Sequence, residues 1–212
     1  MKSIGLSTLA LCLVAVVVVM PVSASAGASE SVASTVVIDA GHGGKDPGTR
    51  SRNGVLEKDV NLAIALDVAA QLRVRGINVL LTRDNDVFVS LDQRVEIANQ
   101  CGADLFVSIH CDSNASKSVT GFSVIMPRSG AEQASEAARG LSEDLQAAGA
   151  RRHTLRRDNR GLRVLDRTHS PAVLVEVGFL SNSSEASALN TTARQKTIAT
   201  SLAEGINEYL HN

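Results

Sequence analysis

The chain has 212 residues, of which 44% are apolar, 20% charged and 2% aromatic, with a formal net charge of −1. Near-neutrality argues against a nucleic-acid partner, and the absence of Trp, with a single Tyr, removes the usual stacking platforms for single strands or sugar rings. The apolar content suffices for one domain whose core is built from Val, Leu, Ile and Ala.

The first element in chain order lies outside that domain. Met1-Lys2 is a short basic start, Leu9–Met20 is continuously apolar, and Ala24-Ser25-Ala26 offers small-residue cleavage geometry, so residues 1–26 read as a secretory signal peptide. As a helix the apolar run would extend only ~18 Å, short of a ~30 Å hydrocarbon core. The expectation is an exported protein, in the periplasm or at the cell wall, with no stable membrane anchor after cleavage. Residues 27–34 are rich in Ser, Ala and Gly and read as a linker to a folded domain over 35–212. Cys12 belongs to the leader. Cys101 and Cys111 flank a strand of roughly 17–20 Å, too long for a bridge that needs Cα atoms within about 7 Å, so no disulfide is expected.

Within the domain, Thr35–Asp39 reads as a buried strand that stops at Gly41-His42-Gly43-Gly44. A loop over 43–55 leads to a helix from Glu57 to Arg75, closed by Gly76. Ile77–Thr82 is a strand. Ser90, with Gln93 three residues on, forms a capping box for a helix ending near Cys101-Gly102. Leu105–Ile109 is a strand ending at His110, and Gly121–Met126 is another, stopped by Pro127. A helix over Ala131–Ala148 follows, then an irregular basic stretch from Arg151 to Arg163. Ala172–Val177 is a buried strand carrying Glu176, and Ala193–Leu210 a terminal helix. The alternation predicts an α/β/α sandwich with a mainly parallel central sheet, in a single domain.

Three strands thus end in a reactive side chain: His42, His110 and Glu176. In an open parallel sheet such groups gather at the carboxyl ends of the strands. Glu57 opens the first helix and lies on the same rim. Two imidazoles and two carboxylates at one edge supply what a catalytic zinc site needs, three ligands and a nearby base. The residues alone leave open which carboxylate ligates and which moves protons. Blander readings exist: Glu176 as a helix cap or core ion-pair member, Glu57 as a favourable charge at a helix start, and Gly41–Gly44 as a phosphate cradle. Asp39 is expected to orient an imidazole. Cys111 should point away from His110 by strand alternation and is not expected to be a ligand. His153, His169 and His211 read as solvated.

The blocks Val37–Gly48, Glu57–Leu62, Leu81–Asp84, Leu91 with Arg94–Asn99, Ala103–His110 and Pro171–Asn182 resemble the zinc-dependent N-acetylmuramoyl-L-alanine amidases. In order, they cover nearly all of Thr35 to Asn212, and as a set they are highly specific. The resemblance implies a compact α/β/α catalytic domain over 35–212. It implies one Zn2+ per chain held by His42, Glu57 and His110, with Glu176 as catalytic acid/base. It implies hydrolysis of the amide between the lactyl group of N-acetylmuramic acid and the L-alanine of the stem peptide, on peptidoglycan or muropeptides.

Departures are local. Cys111-Asp112 stands where relatives often have Ala followed by Asn or Asp, and the stretch from Arg160-Gly161 to Pro171 is compact. Some relatives carry a plugging helix after the strand equivalent to Gly121–Met126. No such insertion is visible here, so an activator protein is not expected to be required. The arginines from Arg151 to Arg167 read either as a solvated loop or as a recognition surface for stem-peptide carboxylates. The rival activities are a zinc peptidase acting within the stem and a catalytically silent wall-binding module.

Overall fold

The computed structural model describes residues 33–129 and 132–212. The signal peptide read at 1–26, and most of the linker read at 27–34, lie outside the described residues. The elements are β1 (Thr35–Ala40), α1 (Glu57–Val74), β2 (Asn78–Leu81), α2 (Leu91–Cys101), β3 (Leu105–Asp112), β4 (Phe122–Met126), α3 (Glu132–Ala147), β5 (Arg152–Arg157), α4 (Arg163–Asp166), β6 (Ala172–Phe179), α5 (Ser183–Leu189) and α6 (Thr192–His211).

The six strands form one sheet in the order β2-β1-β3-β6-β4-β5. All neighbours are parallel except β4 and β6. Strands covered on both faces read as unbroken apolar runs, and every residue of β6 is buried. Alternation then divides the side chains between two cores. Val36, Ile38, Val107, Ile109, Val173 and Val175 pack with α1, α3 and α6 on one face. Val37, Phe106 and Leu174 pack with α2 and α4 on the other. The sandwich expected from the sequence is therefore present. Its second face is thinly covered, because α4 is a helix of only 4 residues.

That asymmetry positions the site. With Val37, Phe106 and Leu174 on the thin face, the period of two places Asp39, Ser108, His110 and Glu176 there as well. A one-residue slip in any of these strands would send its polar group into the thick core, so the hydrophobic pattern itself fixes the register.

The capping box is formed as read: Gln93 N–H donates to Ser90 Oγ, and Ser90 N–H to Gln93 Oε1 at 2.9 Å. Three elements depart from the sequence reading. The stretch taken as irregular between Arg151 and Arg163 contains β5. This is an edge strand whose residues are exposed or only partly buried, so it carries no apolar alternation. The same stretch also begins α4, which runs on to Asp166. The terminal helix is preceded by α5, which is started by Asn182, whose side chain accepts from the N–H groups of Ser184 and Glu185. Among the described residues, Cys101 is partly buried and Cys111 buried, and both are free thiols.

Candidate metal centre and its cleft

Beyond β1 the chain leaves the sheet through Gly41, whose N–H still donates to Ile109 O at 3.0 Å. His42 follows with φ of 61°, a left-handed conformation that a histidine adopts at a cost of about 1–3 kcal/mol. Two buried arginines hold this turn. Arg83 donates from Nε to Ala40 O at 2.9 Å and from Nη2 to Gly41 O at 2.9 Å. Arg94 donates to Ala40 O at 2.8 Å and to His42 O at 2.6 Å. Arg94 also pairs with the fully buried Asp39, which accepts from the hydroxyls of Thr82 and Ser108, each at 2.6 Å. Burial alone would raise the Asp39 pKa. The Arg94 charge and the two hydroxyls outweigh that and lower it.

Asp39 therefore anchors the arginine beneath the turn and makes no hydrogen bond to an imidazole, contrary to the expectation from sequence. The carboxylate that orients His42 is Asp46, which accepts from Nδ1 at 2.8 Å. This leaves His42 Nε2 facing Glu57 Oε1 at 3.1 Å. From the other side His110 Nδ1 faces the same oxygen at 3.0 Å. Glu57 is the first residue of α1 and is held from behind: Thr49 N–H donates to Oε2 at 2.8 Å, and Cys111 N–H to Oε1 at 3.1 Å.

Two glycines make room for this convergence. A Cβ on Gly48, whose φ is +63°, would lie 2.6 Å from Glu57 Oε2 and 2.7 Å from His42 Cδ2. A Cβ on Gly41 would lie 2.3–2.6 Å from three ring atoms of His110. Gly41→Ala is accordingly expected to displace the His110 ring, and any metal binding that uses this ring should weaken by about 10- to 100-fold, the range seen when support for a ligating histidine is lost. Competition with a chromophoric chelator reads this directly. Unchanged affinity would show that the ring can move without consequence.

His42, Glu57 and His110 offer ligand atoms within 4.8 Å of one another. Two imidazole nitrogens and one carboxylate oxygen, converging from three separate elements, match the donor chemistry of zinc. Without an ion, the group behaves as a charge cluster. Burial would lower the His42 pKa, but hydrogen bonds and charge from Glu57 and Asp46 prevail and raise it to about 9. Burial would raise that of Glu57, but the two imidazoles hold it well below the usual carboxylate range. Cys111 is no part of the cluster. Its thiol points away, donating to Asn61 Oδ1 at 3.4 Å, and burial first of all pushes its pKa up.

Glu176 lies directly opposite His110 in the β3–β6 register. It is 7% exposed, and its Oε2 is buried without a hydrogen-bond partner among the described residues. Burial pushes its pKa up to about 7, reinforced by Asp112 and Glu57 and opposed by His110 and Arg160. All four sequence-predicted residues line one open cleft of about 550 Å³, together with Asp46, Arg160, Leu162 and Leu174. Sequence reasoning missed Asp46 and the structural work of Arg83 and Arg94, and it did not separate Arg160 from the other arginines of its stretch. Arg83 and Arg94 stand within the blocks that carry the family resemblance, but nothing in their spacing announced contacts to residues 40–42.

Comparison with known proteins identifies the family and the fold. Residues 36–208 match the family described as Amidase_3, N-acetylmuramoyl-L-alanine amidase. The N-acetylmuramoyl-L-alanine amidase AmiA of Escherichia coli is 35% identical over 221 residues, covering 83% of this chain and 76% of its own length. Among solved structures, the catalytic domain of CwlV, an N-acetylmuramoyl-L-alanine amidase from Bacillus (Paenibacillus) polymyxa var. colistinus, superposes with a TM-score of 0.79 at 38% identity, covering 84% of this chain and 98% of that one. The CwlD amidase of Clostridioides difficile, solved in complex with the GerS lipoprotein, gives a TM-score of 0.80 at 30% identity, over 84% and 98% of the two chains.

Proposed function

The chain belongs to the N-acetylmuramoyl-L-alanine amidase family, and from that premise we propose a zinc-dependent amidase that cuts between the lactyl group of N-acetylmuramic acid and the L-alanine of the stem peptide. The observation that carries this reading is the placement of Glu176, buried and unpaired, in register with one arm of the His42–Glu57–His110 cluster. A silent binding module has no use for a buried carboxylate of raised pKa.

His42, Glu57 and His110 would hold the metal. Bound there, zinc would supply Lewis-acid polarisation of the scissile carbonyl and acidify water. The chain's own residues do the rest. Glu176 accepts a proton from the attacking water and delivers it to the departing nitrogen, which a group titrating near neutrality does in both directions. Asp46 holds His42 in one orientation, and Asp39, through Arg94 and the carbonyls of Ala40 and His42, fixes the backbone that presents it.

The segment 1–26 would direct export and be removed after Ala26, leaving residues 35–212 as the catalytic domain in the periplasm or at the cell wall. Activity is proposed to need no activator. β4 ends at Met126 and α3 begins at Glu132, too short a connection for a plugging helix, and the side chains of His42 and His110 are 25% and 20% exposed to the cleft.

The test is digestion of purified sacculi by the zinc-loaded protein alone, with mass spectrometry of the products and a Glu176→Ala control. Stem peptides with a free L-alanine amino end, released only by the wild type, are expected. Cuts within the stem would make the protein a peptidase. Binding without products would favour a silent module or an absent activator.

A further inference from the structure

The seven arginines between Arg151 and Arg167 are not equivalent. Arg163 and Arg167 pair with Asp92 of α2. Arg157 donates to Pro127 O and Ser135 Oγ, Arg156 to Arg157 O and Asn159, and Arg152 to Ser142. Arg151, like Arg160, makes no side-chain hydrogen bond among the described residues, but it does not line the cleft. Arg160 is the one Arg or Lys side chain that does, and its guanidinium has only Asp158, at 4.0 Å, as an anion beside it.

Its position is nonetheless fixed at the backbone. The carboxylate of Asp158, itself 3% exposed, accepts from the N–H groups of Arg160 at 3.0 Å, Gly161 at 2.7 Å and Leu162 at 2.7 Å. Gly161, at φ of +78°, completes the turn. Leu162 then packs into the thin-face core. The loop is thus pinned on both sides of Arg160, while the side chain, 53% exposed and only 4.0 Å from Asp158 at its closest, keeps its N–H donors free of hydrogen bonds among the described residues.

The rest of the lining defines which ligand suits those donors. Beside the His42–Glu57–His110 cluster, the charged side chains of the cleft are Asp46, Asp112 and Glu176, and Arg160 is the one cation outside that cluster. A cation placed next to otherwise acidic lining gives an anionic group of the ligand its own local site. A guanidinium fork is matched to carboxylate, which it holds through two parallel N–H···O bonds. We infer that Arg160 binds a free carboxylate of the stem peptide as the substrate lies in the cleft, and so selects unamidated over amidated stems. This rests on the amidase reading above and names a specificity-determining contact for it.

The test is a binding measurement that needs no cleavage. Stem peptides with a free L-alanine amino end are prepared with the carboxylate of the second residue either free or converted to carboxamide. Their affinities for the zinc-loaded protein are measured by calorimetry for wild type, Arg160→Gln and Arg160→Lys. Arg160→Gln is expected to raise the Kd of the free-carboxylate peptide about 10- to 100-fold, as the loss of a charge-assisted pair does, and that of the amidated peptide less than about twofold. Arg160→Lys should fall between wild type and Arg160→Gln, retaining charge without the fork. Equal weakening of both peptides, or of neither, overturns the inference. Because neither peptide contains the scissile amide, a failure of the amidase reading appears separately, as absence of lactyl–alanine cleavage in the sacculus digest.

Discussion

Glu176→Gln is expected to lower amide hydrolysis by about 10²- to 10⁴-fold while leaving zinc bound, the loss that follows removal of a positioned general acid/base. The substitution keeps the volume of the side chain and takes away only the capacity to exchange a proton. Glu176 is not one of the three clustered ligand groups, so metal content should be unchanged. Single-turnover cleavage beside a zinc assay checks both halves. A structural role for Glu176 makes a different prediction. An ion-pair member or cap would destabilise the fold when neutralised. Here the carboxyl has a folded pKa of about 7 against an ordinary 4.5, chiefly because it is buried. As pH rises from 4.5 to 7 the unfolded chain gives up this proton before the folded chain does, so the group costs stability above that window. Glu176→Gln should therefore raise the unfolding midpoint of the metal-free protein at pH 8 and leave it almost unchanged at pH 4.5. Greater stability with lost activity is the mark of a group kept for chemistry. A fall in midpoint at pH 8, with activity retained, would return Glu176 to the structural reading.

How much of this was legible beforehand follows from where the sequence carries pattern. His42, His110 and Glu176 each terminate an apolar β-branched run, and Glu57 opens a periodic helix, so the rim of the sheet could be located without coordinates. β5 could not. Its Arg-rich sequence sits at the sheet edge, where one side is open to solvent and no alternation is demanded. The role of Asp39 was misread for a related reason. The expectation rested on the general habit of carboxylates to orient imidazoles, whereas strand alternation turns the side chain toward Arg94, Thr82 and Ser108, which come from distant elements. Asp46 is equally near to His42 in sequence, and only the left-handed turn there brings it to the imidazole. Arg160 belongs to a stretch whose arginines look alike on paper, and their differences arise wholly from tertiary partners.

The second large effect concerns the metal. Glu57→Ala and His110→Ala are each expected to weaken zinc binding by more than about 100-fold and to abolish hydrolysis. Asp46→Ala, which removes the group that orients His42 and accepts from the Gly48 N–H, should cost about 10- to 100-fold. The ordering follows from position. Glu57 Oε1 is the atom on which both imidazoles converge, at 3.1 and 3.0 Å, whereas Asp46 touches His42 on its far nitrogen. The same geometry sets a pH dependence. In the metal-free protein His42 titrates near 9, so at neutral pH it carries a proton that a metal must displace. Zinc affinity is then expected to climb as pH rises toward about 9, by up to about tenfold per pH unit for each proton released. The stability of the metal-free protein should move the other way. The contribution of the protonated His42 is complete below pH 6.5 and is lost as pH rises through about 9. Calorimetric titration of zinc in buffers of different ionisation enthalpy counts the released protons, and thermal unfolding with and without a chelator reads the opposing trend. Zinc binding that ignores pH between 6 and 9, or survives Glu57→Ala intact, would remove the metal from this cluster. It would leave the convergence of the two imidazoles on Glu57 as a buried ion-pair network with no catalytic purpose.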